Sequence, residues 1–165
     1  MKSKFFPAFA LYLGSFAVHA GGDLPDPNLT PGVADPAVSQ ANIMESICKA
    51  DHFSWSEGHK PPKSFLESIE KEQLKLYGYS DENLAHYQMD HLIPLSLGGH
   101  PTDTRNIWPQ KLIAQWSARR KDFLEEKLHE KVCKGELTLD DARQQIQTNW
   151  IEAYERYIGK DFKHP

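Results

Sequence analysis

The chain has 165 residues, of which 39% are hydrophobic and 25% charged, with a formal net charge of −4. That length leaves room for one domain plus a targeting segment, and the composition suits a soluble globular protein. An acidic balance argues against a chain that grips nucleic acid non-specifically over its whole surface, but it leaves room for local basic groups.

The first twenty residues read as a signal peptide. Lys2 and Lys4 form a positive start, Phe5 to Val18 is an apolar run, and Val18-His19-Ala20 ends in a small residue at a plausible cleavage point. A membrane anchor is the alternative, but the run is short for about 30 Å of hydrocarbon. Cleavage would leave 17 basic against 23 acidic residues, a net charge of −6. The expected division is 1–20 signal peptide, 21–38 extended N-terminal arm and 39–160 single domain, in a periplasmic or secreted protein without stable membrane insertion.

The arm, GGDLPDPNLTPGVADP from Gly21, has the Pro, Gly and Asp content of an extended segment or linker. A helix is predicted from Ser39 to Lys49, with Ile43, Ile47 and Cys48 on one broad face. Asp51 to Pro62 reads as a loop, because Pro61-Pro62 forces extended backbone. Ser64 with Glu67 three residues on resembles a capping box, followed by Leu66, Ile69, Leu74 and Tyr77, with Gly78 as the stop. Tyr87 to Pro94 suits a strand, Gly98-Gly99 a turn, and Arg105 to Trp108 a second strand ended by Pro109.

From Lys111 the pattern turns helical, with Leu112, Trp116, Phe123, Leu124, Leu128 and Val132 drifting along one face and Gly135 ending it. Thr138 with Asp141 opens the last helix. Its stripe of Ala142, Ile146, Trp150, Tyr154 and Ile158 is a core face. Cys48 and Cys133, 85 residues apart, suggest one disulfide in an exported chain, with two free thiols as the alternative. Closing such a loop would add about 4 kcal/mol in the chain-entropy model.

The stretch that carries chemistry is YQMDHLIPLSLGGHPTDTRNIWPQ, Tyr87 to Gln110, followed by a helix rich in basic residues. Strand, turn, strand and helix make a ββα unit that can set a carboxylate and an imidazole against a side chain on the helix. Asp90-His91-Leu92-Ile93-Pro94-Leu95-Ser96, then Gly98-Gly99 and Asn106, resembles the motif of HNH endonucleases. The match is closest to exported bacterial proteins with a DHLIPLSLGG-type core, similar from about Leu29 to about Tyr157 and in both cysteines.

The resemblance implies a mostly helical α+β domain around a small ββα-metal core and metal-dependent hydrolysis of DNA or RNA phosphodiester bonds. His91 would be the general base, Asn106 would hold the His91 loop, and Asp90 would bind the metal. A neutral imidazole can take a proton from water near pH 7, and a hard divalent cation neutralises charge on a phosphate. Mg²⁺ is the expected ion, with Zn²⁺, Mn²⁺ and Ni²⁺ as alternatives.

The sequence departs from the motif on the helix, where the second metal ligand is usually His or Asn. His129 lies too far along, and Ser117 and Gln115 are the nearest polar residues by spacing. Arg105, Lys111, Arg119, Arg120 and Lys121 can contact phosphates, or form a solvated helix face paired with Asp122, Glu125 and Glu126. His100 reads as a loop residue that could touch metal or substrate; Trp108 and Trp116 read as core. The alternative function is a non-catalytic module of the same ancestry that binds nucleic acid or the cell envelope.

Overall fold

In the computed structural model, residues 22–49, 52–80 and 83–160 are described, so the expected signal segment lies outside the described residues. Among the described residues, four α-helices and one antiparallel strand pair make an α+β fold that is mostly helical: α1 His52–His59, α2 Lys63–Leu76, β1 Tyr87–His91, β2 Ile107–Lys111, α3 Ala118–Cys133 and α4 Leu139–Tyr157. Among the described residues, no helix is long and apolar enough to cross a membrane.

The main core lies between α3 and α4. Leu124, Leu128 and Val132 of α3 meet Ala142, Ile146, Trp150 and Tyr154 of α4, so the predicted stripe is core as far as Tyr154. Trp116 packs edge-on against Trp150 and Tyr154 at ring-centroid distances of 5.8 and 5.6 Å. A smaller cluster of Tyr77, Leu92 and Trp108 joins α2 to the strand pair. The Thr138 hydroxyl accepts from the Asp141 amide at 3.1 Å to start α4, and Gly78 and Gly135, at φ +67° and +72°, follow the ends of α2 and α3.

Several expected boundaries move. Ser39 to Lys49 is not an α-helix but a 3-10 turn, Gln40–Asn42, followed by further turns. Asn42 accepts from the Ser39 amide and donates to the Ala37 carbonyl, and the Ser46 hydroxyl bonds the Asn42 carbonyl, so local side chains compete with helix. The expected loop before Pro61 contains α1. Helix α2 begins after Pro62 rather than at a Ser64 cap. Pro109 does not end β2 but sits within it opposite Met89; β2 is an edge strand, where a proline's missing N–H is tolerated. Helix α3 begins at Ala118, well after Lys111.

The arm is extended but not a free linker. The amides of Gly32, Asp35 and His100 bond the carbonyls of Arg105, Gly98 and Val33, and the Trp150 indole donates to the Asp23 carbonyl. Cys48 and Cys133 are disulfide-bonded, with Cα atoms 5.3 Å apart. Replacing both cysteines by serine is expected to lower unfolding stability by about 2–5 kcal/mol. An unchanged urea midpoint for the double variant would show that the bridge adds nothing.

Candidate active site

The segment between the strands, residues 92–106, has little regular structure, so its backbone polar groups need partners from outside the ladder. Asn106, fully buried, partners three of them and one amide of the arm. Its Oδ1 accepts from the amides of Ile93 and Val33 at 3.0 and 3.2 Å, and its Nδ2 donates to the carbonyls of Ile93 and His100 at 3.0 and 3.2 Å. Gly99 is required by the same closeness: a Cβ there would stand 1.8 Å from the Ile93 carbonyl oxygen. From α4, buried Arg143 donates to the carbonyls of Leu97, Gly98 and Val38 at 2.8, 3.2 and 3.2 Å.

That loop places the Pro101 carbonyl 2.8 Å from Nε2 of His91. A carbonyl only accepts, so Nε2 carries the hydrogen and Nδ1 of the neutral ring is an acceptor. Burial lowers the His91 pKa against the opposing pull of the Pro101 hydrogen bond and the Asp90 charge. The imidazole is therefore held neutral, in one tautomer, with a basic nitrogen.

Asp90 and His91, adjacent on β1, point to opposite faces, yet both line one cleft of about 520 Å³. Its other walls come from Ser56, Glu57, Lys60 and Pro61, from Leu66 of α2, from Pro94 to Ser96, and from Asp122 and Glu125 of α3. Glu57 and Lys60 form an ion pair on one wall.

Carboxylate oxygens of Asp90, Asp122 and Glu125 lie within 4.8 Å of one another. Oδ2 of buried Asp90 has no well-aligned hydrogen bond, and its charged neighbour is Lys121 Nζ at 2.7 Å. Nζ also meets Glu125 Oε1 at 2.5 Å and the His91 carbonyl at 2.6 Å. Burial alone would strip the Lys121 proton, but Asp90 and Glu125 more than offset it and raise its pKa. The Glu125 carboxyl is pushed up mainly by burial; Lys121 pulls against this and Asp90 adds to it. Lost hydration and the Asp90 charge likewise raise Asp122.

Oxygens bound about 2.1 Å from one ion are at most about 4.2 Å apart, so small side-chain shifts would let this set hold one hard divalent cation. The second cluster of potential ligands, Cys48, His129 and Cys133, has its sulfurs tied in the disulfide.

Asp90 and His91 line the cleft, and Asn106 lies behind it, holding the loop that carries the Pro101 carbonyl. Ser117 instead precedes the first turn of α3 and, like Gln115, does not line the cleft. Arg105, Arg119 and Arg120 do not line it either; Arg105 is held by Asp103 through bonds of 3.0 and 2.6 Å. His100 organises the loop, its Nδ1 accepting from the amides of Thr102 and Asp103.

The sequence alone puts Lys121, Asp122 and Glu125 on a basic or solvated face; in the structure Asp122 and Glu125 line the cleft and Lys121 is buried behind them. A signal was present: Lys121 lies three residues before Leu124 and seven before Leu128, on the buried stripe of α3.

Truncating Asn106 to alanine would strand several buried backbone groups, each costing about 1–3 kcal/mol. Urea unfolding should show a loss of at least about 2 kcal/mol; a smaller loss would mean that the loop holds its shape without the amide. No family model, curated protein or solved structure matches this chain.

Proposed function

We propose that the cleft hydrolyses phosphodiester bonds of DNA or RNA, using His91 as general base within a ββα unit of the HNH type. The observation that carries this reading is the His91 ring: its Nε2 is committed to the Pro101 carbonyl and its Nδ1 is left to accept a proton, beside three clustered carboxylates. His91 would take the proton from the attacking water. Asn106 keeps the loop, and so the Pro101 carbonyl, in place. Asp90, Asp122 and Glu125 would hold one divalent ion, which supplies charge neutralisation on the phosphate when bound. An all-oxygen donor set favours Mg²⁺ or Mn²⁺ over Zn²⁺ or Ni²⁺. The disulfide suits a periplasmic or secreted protein.

A second reading is a non-catalytic module of HNH ancestry that binds nucleic acid or the envelope. Two observations favour it: the arginines lie off the cleft, and a lysine ammonium already occupies part of the acidic cluster. Incubating the oxidised mature chain with DNA and with RNA in Mg²⁺ or Mn²⁺ separates the two. Cleavage should fall by about 100-fold or more in His91→Ala, while Arg105→Ala should change it little. No cleavage by the wild type, or equal cleavage by His91→Ala, would sink the hydrolase reading and leave the binding module.

A further inference from the structure

Lys121 is the charged residue with no exposed surface among those described, yet it lies two to three ångströms from groups of the cleft. An ammonium has three N–H donors. Here the His91 carbonyl and Glu125 Oε1 accept from it, and Asp90 Oδ2 is its ion-pair partner at 2.7 Å. With these partners around it, the phosphate contact expected of a basic helix is closed to this residue. It lies behind the carboxylates and takes one oxygen from each of two of them. Asp122 has no ion pair among the described residues and sits at the exposed side of the cluster.

We propose that Lys121 is the internal cation of this site. It fills the inner half of the acidic cluster, orients Asp90 and Glu125, and confines the cluster to a single divalent ion. Asp122, together with Asp90 and Glu125, would hold that ion. The arrangement rests on the metal half of the function proposed above. Lys121 is a positioning residue, since it acts through Asp90, Glu125 and the His91 carbonyl. A planar guanidinium could not replace it, because its fork does not match three oxygens converging on one nitrogen.

The test is Mn²⁺ binding to the oxidised mature chain, followed by calorimetry and by electron paramagnetic resonance. The wild type should bind one Mn²⁺. Lys121→Met removes a like charge a few ångströms from the ion, which at an effective dielectric of about 20 is worth more than an order of magnitude in affinity. That variant should bind Mn²⁺ at least about tenfold tighter, or take up a second ion, with its near-ultraviolet dichroism retained. Asp122→Asn should bind at least about tenfold more weakly.

Unchanged or weaker binding by folded Lys121→Met, two ions or none in the wild type, or unchanged binding by Asp122→Asn each overturns the proposal. If Lys121→Met does not fold, Asp122→Asn decides, because that side chain makes none of the Lys121 contacts. A chain that binds Mn²⁺ in this pattern but cleaves nothing would refute the hydrolase reading alone. Cleavage in the presence of a chelator, unaffected by Asp122→Asn, would refute the metal half and the internal-cation proposal with it, and leave hydrolysis by His91 standing.

Discussion

The site hangs on one carboxamide. An asparagine side chain has two N–H donors and two acceptor lone pairs, and Asn106 uses all four on backbone groups of three segments: the arm at Val33, the start of the loop at Ile93 and its middle at His100. Aspartate has no donor to offer the Ile93 and His100 carbonyls, and serine is too short to span them. The consequence reaches the chemistry directly. The carbonyl that fixes the His91 tautomer belongs to Pro101, next in the chain to the His100 carbonyl that Asn106 holds. The direction of the imidazole is therefore set in part from Asn106, just ahead of β2.

Charge around the cleft imposes a second constraint. Asp90, Asp122 and Glu125 face Lys121, while Lys60 is already paired with Glu57. Without a further cation the cleft is acid-rich and repels a polyanion. The raised pKa values of Asp122 and Glu125 express the same crowding of buried and like-charged groups. Base catalysis by His91 as proposed therefore calls for a bound divalent ion, since the cations at this cleft, Lys60 and Lys121, are already paired with Glu57, Asp90 and Glu125.

What could be read from the sequence follows physical lines. Gly98-Gly99, Asn106, Gly78, Gly135 and the Thr138 cap were legible because each answers a local backbone demand that few residue types can meet. The α4 stripe was legible because its period is that of a helix packed on one side. The segment from Ser39 to Lys49 misled because Ile43 and Ile47 keep helical spacing while packing into the core from turns that Asn42 and Ser46 stabilise. Trp116 misled in the same way, joining the core from the segment ahead of α3. Lys121 was obscured by composition: in a run of Arg-Arg-Lys it reads as surface, and only its register with Leu124 and Leu128 marks it as buried. The partner of Asp90 on the helix is therefore not Ser117, where motif spacing puts it, but Asp122, five residues later.

The large helices hold these groups in place from two directions. Helix α3 carries Lys121, Asp122 and Glu125 in its first turns and Cys133 at its end, where the disulfide and a 2.8 Å bond from His129 to the Ile47 carbonyl fix it to the turns after the arm. Helix α4 reaches the opposite side of the loop through Arg143. The acidic cluster is thereby anchored to one rigid element and the His91 loop to another, with Lys121 crossing between them to the His91 carbonyl. An irregular loop can then keep the His91 ring oriented, because the His100 carbonyl beside Pro101 is tied to buried Asn106 and the Leu97 and Gly98 carbonyls are tied to Arg143.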